Sequence, residues 1–445
     1  MRIGLLFDHD FDARAHARQE RAGWRFDRAG FDLFSFPSNA RLIGFDLERF
    51  AQRQAARARR HGWAGVVSHD EQFGALAAAL VAERAGLPGA SPESIIACQH
   101  KLHMRRVLAR VRPEANLRFA ELDCHYGDPV PEGLSFPCFA KPVKAAFSVL
   151  ARRVANRDEL QRHTRFGRRE LWVIRHLVEP FDRIARRRLP DAGTAHRMMV
   201  EEVVRAPQYN LDGYVHEGEV HVLGVVDAIM YPGTQSFQRW ELPSRLPPAV
   251  LRRAAEVARG FLREVGFTHG FFNMEFFHDP ASDRLAVIEF NPRLASQFGD
   301  LYRAVQGIDP HAMALALATG QDPASLPRCE PTGGVAASLV WRAFDPAQVP
   351  TMPSRRQRAA LAAAVPDAPL SLYPKSGHAL ARDFKWLDST RYGVINLAAR
   401  DWVALRETSA QVSGLLGWPD APYATEALTA LDPAAGSPEV LQGAE

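Results

Sequence analysis

Residues 271–293, FFNMEFFHDPASDRLAVIEFNPR, constrain this chain more than any other stretch. They read as a β-hairpin. Phe271, Phe272, Met274, Phe276 and Phe277 surround a single glutamate, Glu275. Asp279-Pro280-Ala281-Ser282-Asp283 is rich in residues that reverse a chain, and the apolar return strand over 285–290 carries Glu289. Asn291 and Arg293 lie just beyond. A carboxylate inside an apolar strand is costly unless something pairs with it. Two of them on facing strands supply hard oxygen ligands, which suit Mg²⁺ held together with phosphate oxygens and water. A core hairpin whose glutamates pair with arginines fits the same pattern.

The use of lysine narrows the search. Of 55 basic residues only Lys101, Lys141, Lys144, Lys375 and Lys385 are not arginine. In such a chain a lysine hints at a position where a compact point charge is wanted. Lys101 lies on a short helix predicted over 98–110, which Pro113 ends. Lys141 closes a strand at 138–140 and precedes a hairpin with Ser148 in its turn and a return strand over 149–154. Residues 198–204, MMVEEVV, read as an apolar strand ending in Glu201 and Glu202. Residues 210–215 and 220–227 alternate as paired strands around Glu217-Gly218. Residues 230–248 read as a long ordered loop in which Arg239 has the guanidinium fork suited to a carboxylate. An amphipathic helix over 248–266 leads into the hairpin.

At these residues the chain resembles the ATP-grasp superfamily, whose signature is a glutamate on one strand and Glu-x-Asn-x-Arg on the next. Here that run is Glu289-Phe290-Asn291-Pro292-Arg293. The resemblance implies that Glu275, Glu289 and Asn291 hold two Mg²⁺ on the triphosphate of ATP, with Mn²⁺ as an alternative. It implies that Arg293 faces the transferred phosphoryl group or an acyl phosphate. Lys101 and Lys141 reach the phosphates, and Ser148 belongs to the lid loop that closes over them. The carbonyl of Glu202 and the N–H of Val204 meet the adenine edge, with Glu201 beside them. Gln208 stands where the family carries a glutamate for the ribose hydroxyls. The lid departs from the family pattern: several glycines usually let backbone N–H groups approach phosphate, and this chain has Lys144-Ala145-Ala146-Phe147. The implied fold class is α/β (α+β). An ATP-grasp fold over 98–330 has its lid at about 111–204 and its metal-binding lobe at about 205–330. A small doubly wound domain over 1–97 precedes it, and a smaller C-terminal α+β region over 331–445 follows, mobile past Leu431.

The N-terminal reading comes from the residues themselves. Strands are expected over 2–7 and 65–68, with an arginine-rich helix over 47–60 between them. Ser68-His69-Asp70-Glu71 then opens a helix, with Ser68 or Asp70 as its cap, and Gly86-Leu87-Pro88-Gly89 ends it. Asp70 and Glu71 stand at the C-terminal end of a strand, where doubly wound sheets place ligands, although capping is the commoner role. Near the other end, strands are expected over 334–344, 371–373 and 394–397, and a loop over 375–385.

Composition excludes some classes. A net charge of +4 over 445 residues does not call for nucleic acid, and Glu159, Glu170, Glu179 and Asp182 dilute the basic run at 157–197. Cys98, Cys124, Cys138 and Cys329 form no CxxC pair, which points to a reduced compartment. The apolar run at 1–7 is too short for a signal peptide or a membrane span. The expectation is a cytoplasmic protein with small-molecule partners, no nucleic acid, no membrane and, by family habit, a homodimer. The function implied by the resemblance is an ADP-forming ligase that joins a carboxylate to an amine through an acyl phosphate. Biotin carboxylases carry Gln-Val-Glu shortly after the arginine, whereas here Leu294, Ala295 and Ser296 follow. Two alternatives stay open: an ATP-dependent carboxylase or carbamoyl-phosphate-type enzyme, and a non-catalytic nucleotide-binding regulator.

Overall fold

The structure is a computed structural model that describes residues 1–33, 38–122, 128–145, 150–368, 370–418 and Tyr423. Its strands fall into three sheets. The first is parallel, in the order β2-β1-β3, from β1 (Arg2–Leu6), β2 (Arg25–Ala29) and β3 (Gly65–Val67). β1 is buried between helices, as its continuous apolar run requires. The sequence reading passes over β2 and the helix Ala13–Arg21 before it, because RFDRA at a sheet edge has no apolar run. Asp46 starts the helix Leu47–His61 by accepting the Arg49 N–H, and Gly62, at φ 63°, ends it in the left-handed region. The helix expected to open at 68–71 opens at Gly74 instead. The Asp70 carboxylate accepts the N–H groups of Phe73 and Gly74, each at 2.8 Å, so Asp70 does cap it, and Glu71 falls in the turn before it.

Helices Pro92–Gln99 and Lys101–Val111 lead into an antiparallel sheet of order β4-β7-β5-β6. Its strands are β4 (Phe119–Leu122), β5 (Cys138–Pro142), β6 (Arg152–Val154) and β7 (Met198–Glu202). The helix Arg168–Arg188 buries Val178, Phe181, Ile184 and Ala185 and turns most of its arginines outward, so the basic run is a solvated face.

The third sheet is antiparallel, with eight strands in the order β12-β11-β8-β9-β10-β13-β15-β14. These are β8 (Gln208–His216), β9 (Glu219–Met230), β10 (Phe237–Leu242), β11 (Gly270–Asp279), β12 (Arg284–Asn291), β13 (Val335–Ala343), β14 (Leu370–Leu372) and β15 (Thr390–Ala399). Two expected loops are regular elements instead. The loop read over 230–248 contains β10, whose strand pattern is hidden by the buried polar residues Gln238, Arg239 and Glu241. The C-terminal strands join the central sheet, with β13 pairing with β10 on one side and β15 on the other. The loop read over 375–385 is the helix Gly377–Leu387, whose Leu380 and Phe384 lie one turn apart. The tail past Leu431 lies outside the described residues.

The helix Pro248–Glu264 covers one face of the central sheet, with the Phe261 ring stacked on Phe290 at 4.0 Å. Glu275 and Glu289 therefore alternate onto the opposite face. The helix Pro310–Ala318 lies against β3, where a Cβ on Gly65 would meet the Ala318 carbonyl at 2.2 Å, so only glycine fits. Among the described residues no helix is long and apolar enough to cross a membrane.

Candidate active site

The hairpin register sets Glu275 directly opposite Glu289 and Asn273 opposite Asn291. Asn291 Nδ2 donates to Glu275 Oε1 at 3.2 Å, and Gln208 Nε2 donates to Glu275 Oε2 at 2.8 Å. Behind them Asn273 donates to Asp212 at 2.9 Å, and the Tyr302 hydroxyl reaches the other Asp212 oxygen at 2.9 Å. Burial and the facing charge of Glu289 push Glu275 above the usual carboxylate range. Burial would raise Glu289 too, but Lys101 and Lys141 outweigh it and hold Glu289 low. Asp212 is pushed up to about 7, chiefly by burial. A like-charged pair at one cross-strand position, with one member driven toward its neutral form, is a donor set that fits a divalent cation.

The lysines tie this hairpin to the four-stranded sheet. Lys101 Nζ lies 2.8 Å from Glu289 and donates to the Ala145 carbonyl at 3.1 Å. Lys141 Nζ lies 2.8 Å from Glu201, which Arg105 also engages at 2.6 Å. Burial pulls Lys141 below the usual lysine range despite Glu201. Arg105 was not singled out from the sequence. Fully buried, it donates to the Val287 and Ile288 carbonyls at 2.7 and 2.8 Å, and so joins the helix Lys101–Val111, β7 and β12. The signal available was its place four residues after Lys101, on the same helix face. Glu201 thus anchors two cations. Glu202 turns its side chain to Arg118 and Arg284, and Val204 lies half-buried just past β7. Ser148 lies outside the described residues.

Arg293 meets the N-terminal sheet. Its Nε lies 3.2 Å from Glu71 Oε2, while Glu71 Oε1 accepts from Gln99 at 2.8 Å. Burial raises Glu71, against the pull of Lys144 and Arg293. Lys144 Nζ donates to the Glu71 carbonyl at 3.0 Å and lies over the Phe181 ring at 4.8 Å; burial brings it down to about 8. Glu71 is therefore more than part of a helix start.

The sheet register corrects the expectation for Arg239. Glu275 pairs with Asn210 and Asn210 with Val226, whereas Glu241 pairs with Asp227 and Arg239 with Ile229. Alternation puts Arg239 and Glu241 on the face opposite Glu275. There Arg239 is buried, its Nε 2.9 Å from Glu241 and its guanidinium 4.2 Å from the centre of the Tyr423 ring. It holds a carboxylate, but one from its own strand.

Comparison with known proteins agrees with this geometry. Residues 134–300 match the family described as ATP-grasp domain. The uncharacterized protein y4rH of Sinorhizobium fredii is 29% identical over 239 residues, 52% of this chain and 44% of that protein. Carnosine synthase 1 of Gallus gallus is 29% identical over 255 residues, 55% of this chain and 26% of that protein. The chain thus spans under half the length of these two curated relatives. The solved L-amino acid ligase from Bacillus licheniformis superposes with a TM-score of 0.64 at 15% identity, covering 93% of this chain and 96% of that one. The matched segment contains Lys141, β7 and the whole hairpin, so an ATP-grasp domain is identified over residues 134–300, and the likeness in fold extends over most of the chain.

Proposed function

We propose that this protein is an ATP-dependent, ADP-forming ligase that joins a small-molecule carboxylate to an amine through an acyl phosphate. The observation that carries the reading is the Glu275–Glu289 cross-strand pair with Lys101 on Glu289 and Arg293 two residues beyond Asn291. Lys101 and Lys141 supply positive charge for the triphosphate, and the strand end at Glu202 and Val204 supplies backbone groups for adenine. Glu275, Glu289 and Asn291 would hold Mg²⁺, which when bound offsets charge on the β- and γ-phosphates. A substrate carboxylate oxygen attacks the γ-phosphorus, the bond to the β,γ-bridging oxygen breaks, and ADP leaves. The amine nitrogen then bonds the acyl carbon, the acyl C–O bond breaks, phosphate leaves, and the surplus amine proton passes to water. Arg293, held at its Nε edge by Glu71, keeps further donors for the charge that develops on the phosphoryl oxygens. No protein nucleophile is required.

The test is phosphate release from ATP and Mg²⁺ against a panel of amino acids and against bicarbonate. Release that needs a carboxylate together with an amine is expected. Release that needs bicarbonate alone would replace this reading with a carboxylase, and nucleotide binding without turnover on any member of the panel would replace it with a regulator.

A further inference from the structure

Beyond the nucleotide site, four distant segments bring their side chains to one buried point. Asp12 follows β1, His69 follows β3, Ser296 follows the hairpin, and His311 is the second residue of the helix Pro310–Ala318. Asp12 Oδ2 lies 3.1 Å from His69 Nδ1, and Asp12 Oδ1 lies 3.3 Å from His311 Nε2. Ser296 Oγ donates to Asp12 Oδ2 at 3.2 Å. One ligand atom from each of Asp12, His69 and His311 falls within 4.8 Å of the others. Asp12 is 2% exposed, His69 8% and His311 5%.

Three details set this cluster apart from an ordinary helix start. Asp12 occupies the N-cap position of the helix Ala13–Arg21, yet its carboxylate makes no capping bond. It is turned away from the N–H groups that usually claim such a residue and toward two imidazoles. The far ring nitrogens, His69 Nε2 and His311 Nδ1, have no hydrogen-bond partner among the described residues, so no protein group fixes either ring's tautomer, and the near nitrogens can face Asp12 as lone pairs toward a shared cation. The His311 ring also has space made for it: a Cβ on Gly299 would come within 2.9 Å of it.

We propose that Asp12, His69 and His311 bind a Zn²⁺ ion that pins the segment after Arg293 to the N-terminal sheet. Two imidazole nitrogens with one carboxylate form a borderline donor set that suits zinc and disfavours Mg²⁺ and Ca²⁺, unlike the oxygen-only set of the hairpin. Tetrahedral zinc with ligand bonds of about 2.0–2.1 Å has ligand–ligand edges of about 3.3 Å, close to the 3.1 Å from Asp12 Oδ2 to His69 and the 3.3 Å from Asp12 Oδ1 to His311, so the carboxylate lies between the two rings as a shared ligand would. The fourth position falls to water or Ser296 Oγ. Asp12 and His311 are separated by 299 residues in sequence, so the ion closes a long loop between the first strand and the segment that carries the catalytic arginine.

The experiment uses the untagged full-length protein, stripped with a chelator and reloaded with ZnCl₂ or CoCl₂. We expect about one zinc per chain by elemental analysis, visible absorption bands of four-coordinate Co²⁺, and a higher unfolding temperature on zinc addition. His311→Ala and Asp12→Asn are expected to lose the cobalt bands and the zinc-dependent rise, while Glu275→Gln keeps both. The wild-type unfolding temperature needs no variant. If zinc does not raise it, or if His311→Ala takes up zinc as tightly as the wild type, Asp12 is a hydrogen-bond hub and the metal site is refuted.

Discussion

Glu275→Gln separates what the hairpin carboxylates do for the reaction from what they cost the fold. Two carboxylates at one cross-strand position stand about 5 Å apart. At an effective dielectric near 20 their repulsion is roughly 3 kcal/mol when both are ionised. The substitution removes that term. It also turns one acceptor of the pair filled by Gln208 and Asn291 into a donor facing a donor, which costs about 1 kcal/mol. The net expectation is a metal-free variant stabler than wild type by roughly 2 kcal/mol at pH 8. Because the folded protein holds the Glu275 proton above the usual range, the unfolded chain releases it first as pH rises from about 4.3. Wild-type stability from this group therefore falls with rising pH and levels off above the folded value. Other titrating groups are common to both proteins, so the difference between variant and wild type isolates it. Urea unfolding in EDTA at pH 5 and pH 8 measures that difference, and phosphate release measures the reaction, which should drop ~10³-fold or more. A variant destabilised equally at both pH values would refute the account of a strained pair waiting for a cation.

Arg105→Met strands Glu201 with Lys141 alone and frees two strand carbonyls, so it should cost ~3–5 kcal/mol, read by urea unfolding; a loss under about 1 kcal/mol would mean that the buried pair is not coupled to the fold. Lys141→Met should weaken binding of a non-hydrolysable ATP analogue at least ~10-fold, measured by calorimetry, and unchanged affinity would remove Lys141 from the phosphate site. Arg239→Met should lower stability by a few kcal/mol through Glu241 yet leave the KM for the carboxylate substrate within about threefold; a large rise in KM with normal stability would return Arg239 to the substrate site.

The hairpin was legible because its information is local. Two glutamates sit at fixed offsets in apolar strands, and a turn between them sets which residues face each other. Arg105 was not legible in that way. Its worth lies in the Val287 carbonyl, 182 residues away, and nothing near Arg105 tells a buried arginine from the many solvated ones. The strand β10 failed for a related reason. Its charges are neutralised within the sheet by Arg239 and Glu241, so a buried strand looked like a polar loop. The strands of the C-terminal region could be read one by one, but their joining of the central sheet is a property of pairing between β10 and β13, which no single segment encodes.

Glu71 shows how far one turn can reach. Asp70 fixes the turn by capping the helix at Gly74, and the turn then presents both polar ends of Glu71. The carboxylate takes Arg293 and Gln99, and the carbonyl takes Lys144 and Gln99. The N-terminal sheet, the segment just past β5 and the end of the hairpin thus meet on one residue. Just past β5 this chain has a lysine whose side chain is anchored on the Glu71 carbonyl. A segment held that way needs no backbone of unusual freedom at Lys144 or Ala145, the two described residues that lead toward the proposed phosphate site.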